Sequence, residues 1–248
     1  MALWNRNKNK GQQPDTLQNS LPDIPTKSSG VVLTKSQGAV SLAKSTVYTI
    51  IARWFRKDYD ALVLAVFRDE HGTVYTEWVS TYGIVGAPKE FNLSSSDGSV
   101  VHTSGDKATS DAGGDEPPFE VIKIYVRPNS KLIRAVLVVY SAKNSGPGSF
   151  HEYGVSTYVL PGDFDAVPDE AKIASIGGHV LLAENASRDA GVYTFVPAVI
   201  RIENGNASID PLELYSKGGE NRPDWDSALD TVIMDVGPEN ASKKRPKN

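Results

Sequence analysis

The chain has 248 residues, a formal net charge of −4, 40% hydrophobic and 23% charged residues, and no cysteine. That length fits one large all-β domain, and the apolar content is enough for a sizeable core. The absence of cysteine excludes disulfides, thiolate nucleophiles and cysteine-ligated metals, and it fits a reducing compartment. The charge is uneven. Residues 1–28 carry +2 and residues 237–248 carry +3, so the body between them stands at −9 once the tails' +5 is set against the total. An acidic body argues against nucleic acid as the main ligand. The N-terminus lacks the apolar region of an export signal and no run of residues reaches membrane-span length, which predicts a cytoplasmic protein without direct membrane insertion.

Residues 1–28 are rich in Asn, Gln, Lys, Ser and Pro, a composition that predicts a disordered tail. The body, 29–236, is expected to be one domain, followed by a basic tail at 237–248. Strand signals start with Val31–Leu33 and Ala39–Leu42, short β-branched runs. Val47–Phe55 follows, then Ala61–Phe67, a continuous apolar run that reads as a strand buried on both faces. Arg68–Gly72 reads as a turn and Thr73–Val79 as its partner strand. Phe119–Val126 alternates apolar with polar residues. Leu132–Tyr140, Val155–Leu160, Ser175–Leu182, Val192–Glu203 and Ala207–Ile209 complete the strands, with Asn204-Gly205 a strong hairpin signal between the last two. The acidic stretch Pro161–Ala171 is a connection with room for a helical turn, and Asp226–Val236 reads as a modest helix. Many short strands with Gly and Pro turns predict an all-β fold, a sandwich of two mainly antiparallel sheets with few short helices.

The stretch from Ser94 to Glu120 is too long and polar for a tight connection. It carries Asp97, Asp106, Asp111, Asp115 and Glu116, spaced by Gly and Ser, with Lys107 as its only Lys or Arg. Hard cations such as Ca2+ take six to eight oxygens, and glycine lets backbone carbonyls join the carboxylates. A solvated acidic loop has the same composition, so both readings stand. The acidic spacing is not that of an EF-hand. His71, His102, His151 and His179 are scattered and read as turn or surface residues. Trp54, Trp78, Phe150, Tyr153 and Tyr158 read as core. No nucleophile elbow or P-loop is present.

Three segments resemble the TerD-domain family of bacterial tellurium-resistance and general stress proteins. Leu33-Thr34-Lys35 followed by Val40-Ser41-Leu42-Ala43-Lys44 is similar to that family's opening Leu-x-Lys units. Tyr59-Asp60-Ala61 before an apolar strand resembles its Phe-Asp-Leu-Asp-Ala element. Ser96 to Thr103, then Gly105-Asp106-Lys107-Ala108-Thr109 and Gly114-Asp115-Glu116, resembles its Asp-Gly-Ser-Val-x-His-Thr-Gly-Asp-Asn-x-Thr and Gly-Asp-Asp-Glu motifs. The resemblance implies a β-sandwich without established catalytic activity, which binds Ca2+ through this loop and serves stress response or tellurite resistance. It also implies partners among the proteins of a stress-response or membrane-associated assembly. The implied ligands are Asp60, Asp106, Asp111, Asp115 and Glu116. Phe55 and Leu62 stand where relatives carry Asp, Lys107 replaces Asn, and one Asp precedes Glu116 in place of two. These departures predict one weak Ca2+ site, or its loss. In the latter case the chain is a structural or adaptor module that binds other proteins. A metal-dependent hydrolase ranks last, for want of a base or nucleophile.

Overall fold

The computed structural model describes residues 32–55, 57–81, 92–105, 117–128, 130–141, 146, 148–184, 191–216 and 222–236. The expectations for the two tails, 1–28 and 237–248, therefore fall outside the described residues. Described strands, in chain order, are β1 (Val32–Leu33), β2 (Val40–Ser41), β3 (Val47–Arg53), β4 (Tyr59–Arg68), β5 (Val74–Val79), β6 (Val100–His102), β7 (Phe119–Tyr125), β8 (Leu132–Ser141), β9 (Ser156–Pro161), β10 (His179–Leu182), β11 (Thr194–Glu203), β12 (Asn206–Tyr215), β13 (Asp224–Asp226) and β14 (Thr231–Ile233). One α-helix, α1 (Glu170–Ser175), lies between β9 and β10.

Two six-stranded sheets form a β-sandwich. One runs β1-β10-β9-β3-β7-β6 and the other β2-β12-β11-β8-β4-β5. Every pairing is antiparallel except β1 with β10. Alternation along each strand sorts the side chains into three apolar layers. Ile50, Ala52, Ile122 and Ile124 of the first sheet face Ala61, Val63, Leu137 and Ile200 of the second and make the central core. Ile51, Val121, Tyr158 and Leu160 sit on the outer face of the first sheet, under Ile173 of α1 and Phe164. Leu62, Leu64, Val66, Val136, Val138 and Val199 sit on the outer face of the second, under Trp225 and Val232 of the β13–β14 hairpin. Because both faces of β4 are covered, Ala61–Phe67 has no polar alternation, as the continuous apolar run predicts.

Three expectations are corrected. Asp226–Val236 is a hairpin, not a helix. The Asp226 carboxylate accepts from the N–H groups of Ala228 and Leu229, closing a turn that begins where the helix was expected to start. Asp230 then takes φ +49°, which no α-helix permits. Second, Ser175 ends a helix rather than starting a strand. The Asp169 side chain caps α1 by accepting from Lys172 N at 2.8 Å, and the strand begins only at His179. Third, β6 lies inside the stretch read as a single loop.

Candidate functional site

The β6–β7 hairpin carries the acidic segment. Its near side begins with a tight turn at 95–99. The Asp97 carboxylate accepts from Ser95 Oγ (2.9 Å), Ser99 N (2.9 Å) and Ser99 Oγ (2.6 Å), and Gly98 takes φ +67°. Asp97 is thus a turn former, with Oδ1 taking all three of these bonds. Pairing continues past β6, since Thr103 N donates to Val121 O at 2.9 Å and Val121 N donates to Ser104 Oγ at 2.9 Å. The far root is fixed one residue past β3, where Trp54 N donates to Pro118 O at 3.2 Å.

Between these roots lies a buried polar clasp. Glu120 is opposite Ala52 on β3 and shares the inward-facing side of β7 with Ile122 and Ile124. Its side chain is fully buried, and Oε2 accepts from the backbone N–H of Ala61, in the other sheet, at 2.6 Å. That N–H needs a partner because β5 pairs with β4 only from Val63 onward. His102, diagonal to Glu120 across the β6–β7 ladder, places Nε2 3.3 Å from the same oxygen and is itself fully buried. In the Nε2–H tautomer the imidazole donates to the carboxylate. A buried carboxylate is tolerated only when its oxygens are satisfied. His102 Nδ1 and Trp54 Nε1 are buried without a partner among the described residues.

The surface reading of His102 is therefore wrong. His102 ends a strand whose inward positions, Val100 and His102, both face the core. His71 is an exposed turn residue, and His151 lies in a turn with Nδ1 2.9 Å from Ala183 O. His179 lies half-buried in β10, and burial holds its imidazole below its ordinary pKa. Trp54, Trp78, Phe150 and Tyr158 are buried, as a core role requires, and Tyr153 packs half-buried against the same core.

Of the five expected ligands, Asp106, Asp111, Asp115 and Glu116 lie outside the described residues. Asp60 is described. It is 8% exposed, pairs with Tyr140 on β8, and precedes the residue whose N–H Glu120 holds. The chain leading into it is anchored. Lys57 Nζ and Tyr59 Oη both donate to Gly148 O, at 2.7 and 2.8 Å. The ammonium also sits over the rings of Tyr59 and Tyr153, and Tyr59 packs edge-on against Trp54. Leu62, where relatives of the resembled family carry Asp, is buried in the apolar layer under the β13–β14 hairpin, a position hostile to a carboxylate. Among the described residues, no group of three or more His, Asp or Glu gathers to hold a metal. Sequence reasoning missed Glu120 and His102. The available signal was the period of two that puts Glu120 in line with Ile122 and Ile124.

A groove between β1, β10, β11 and β12, lined by Leu33, Leu181, Phe195 and Pro211, encloses roughly 10 Å³, room for about one water. No helix among the described residues is long and apolar enough to cross a membrane.

No family model matches the chain, and no curated protein matches it. Among solved structures, a protein of unknown function, SAV2460, is similar at 14% identity and a TM-score of 0.42, over 71% of this chain and 92% of its own. That likeness is too loose to carry an argument about this chain.

Proposed function

We propose that the chain is a non-enzymatic binding module whose acidic segment, 106–116, holds a single hard cation, Ca2+, together with Asp60. The observation that carries this reading is the clasp. Glu120, three residues past Pro117 at the far root of the segment, holds the N–H of Ala61, the neighbour of Asp60, whose own side chain alternates to the outer face of the second sheet with Leu62 and Tyr140. A ligand set drawn from a loop and from the end of a rigid strand suits an oxygen-ligated cation site. Its resemblance to the TerD-domain motif from Ser96 to Glu116 supports the same reading and extends it to a stress-response role. With Phe55 and Leu62 in place of carboxylates, the affinity belongs in the weak range, a Kd of about 10⁻⁴–10⁻³ M. Calorimetric titration of the purified protein with CaCl2 tests this. The expected result is one binding event in that range, abolished in Asp106→Ala. Absence of heat at millimolar Ca2+ would leave the adaptor reading, a module that binds other proteins through the same fold.

A further inference from the structure

Among the described residues the β13–β14 hairpin is joined to neither large sheet by a strand ladder, and its two three-residue strands pair with each other. A lone two-stranded hairpin has little stability of its own. Two described contacts hold it in place. Trp225 and Val232 press into the outer face of the second sheet, onto Leu62, Leu64, Val66, Val136, Val138 and Val199. At its tip, Asp230 Oδ2 accepts from Arg134 Nη2 at 3.1 Å and Arg201 Nη1 at 2.8 Å.

The tip is built so that it can let go. Arg134 of β8 and Arg201 of β11 are direct cross-strand partners, and Asp230 lies between them. Each arginine also has a carboxylate from its own sheet: Glu203 is 3.2 Å from Arg134, and Asp210 is 3.3 Å from Arg201. The cluster thus has three carboxylates for two guanidiniums, and departure of Asp230 leaves two of each. No buried charge is stranded, so the usual penalty for breaking a half-buried ion pair is avoided. Asp230 keeps 48% of its side chain exposed, which makes its water-solvated alternative accessible.

We propose that the β13–β14 hairpin is a displaceable strap, which opens locally and uncovers the apolar outer face of β4, β8 and β11 while the sandwich stays folded. Partial burial alone would raise the Asp230 carboxyl, but hydrogen bonds from Arg134 and Arg201 outweigh it and hold the group below its ordinary range. The groups facing it are Arg134, Arg201, Glu203 and Asp210. Its grip is therefore full above the ordinary carboxylate pKa and fades as pH falls through the lower, folded value.

Native-state amide exchange on the full chain tests the strap. In the wild type, amides of 224–226 and 231–233 exchange faster than those of β8. Asp230→Asn speeds the hairpin amides by about two- to fivefold, the size expected of one partly exposed ion pair, and leaves β8 unchanged. Trp225→Ala speeds them by more than about tenfold, and the uncovered face binds an apolar dye. Should Trp225→Ala fail to fold, the wild type and Asp230→Asn still decide. Hairpin amides that exchange at the same rate as those of β8 in both proteins would overturn the proposal, since the hairpin would then open only with the whole domain.

Discussion

Glu120 and Asp230 do the same mechanical job in opposite surroundings. Each carboxylate ties one element of the chain to a sheet it does not belong to. Glu120 does so with no exposure, accepting from a backbone N–H across the sandwich and from an imidazole that is equally dry. Asp230 does so with half its side chain in water and with two arginines that each keep another partner. The first cannot be withdrawn without leaving Ala61 N–H and His102 Nε2 unsatisfied. The second can be withdrawn at little expense. Solvent, rather than the number of hydrogen bonds, decides which tie is permanent and which is reversible.

The largest expected effect is at the dry tie. Glu120→Ala removes the acceptor of Ala61 N–H and opens a void between the sheets, and should cost on the order of 3 kcal/mol in urea unfolding. A loss below about 1 kcal/mol would mean that Glu120 is not the inter-sheet tie described. His102→Leu removes one of the two described donors but keeps the apolar volume. It should cost about 1 kcal/mol by the same measurement, and a loss as large as that of Glu120→Ala would put the weight of the clasp on the imidazole.

This asymmetry was only partly legible in the sequence. The strands of both sheets announced themselves through β-branched runs, and Ala61–Phe67 declared its double burial by having no polar position. The Glu120 tie did not, because it joins residues 59 apart across two sheets, and no local pattern encodes that contact. The β13–β14 hairpin was hidden for a different reason. Ala228, Leu229, Val232, Ile233 and Val236 recur at spacings of three and four, which imitate a helix, while the decision is made by the Asp226 turn and the positive φ of Asp230. β6 was hidden because Val100-Val101-His102 is a strand only through its pairing with β7. The resemblance drew attention to the acidic segment and Asp60; it gave no hint that the neighbouring Glu120 and His102 are buried.

A smaller effect separates the outer faces of the two sheets. Lys123, on the outer face of the first sheet, contacts Asp163 at 2.5 Å and Asp165 at 2.8 Å. The hydrogen bond to Asp163, then that to Asp165, raises its ammonium pKa above the ordinary lysine value. Its contribution is therefore full below the ordinary lysine pKa and is lost as pH rises through the higher, folded value. The Asp230 contribution runs the other way and is lost in acid. Lys123→Met should flatten the alkaline limb of a stability–pH curve above about pH 10, a limb that Asp230→Asn should leave as it is. A Lys123→Met variant with an unaltered alkaline limb would mean that the Lys123 pairs add nothing to stability.

Whether the acidic segment and Asp60 share a Ca2+ is read out by thermal unfolding with and without the ion. A ligand that binds only the folded state at a Kd of about 1 mM should add roughly 1.4 kcal/mol at 10 mM. For a domain of this size that is a rise in Tm of about 3–5 °C. The expected result is this rise for the wild type with CaCl2, its absence in Asp106→Ala and Asp115→Ala, and unchanged melting of those variants without the ion. A wild-type Tm that does not move at 10 mM, or one that moves equally in the variants, would contradict it.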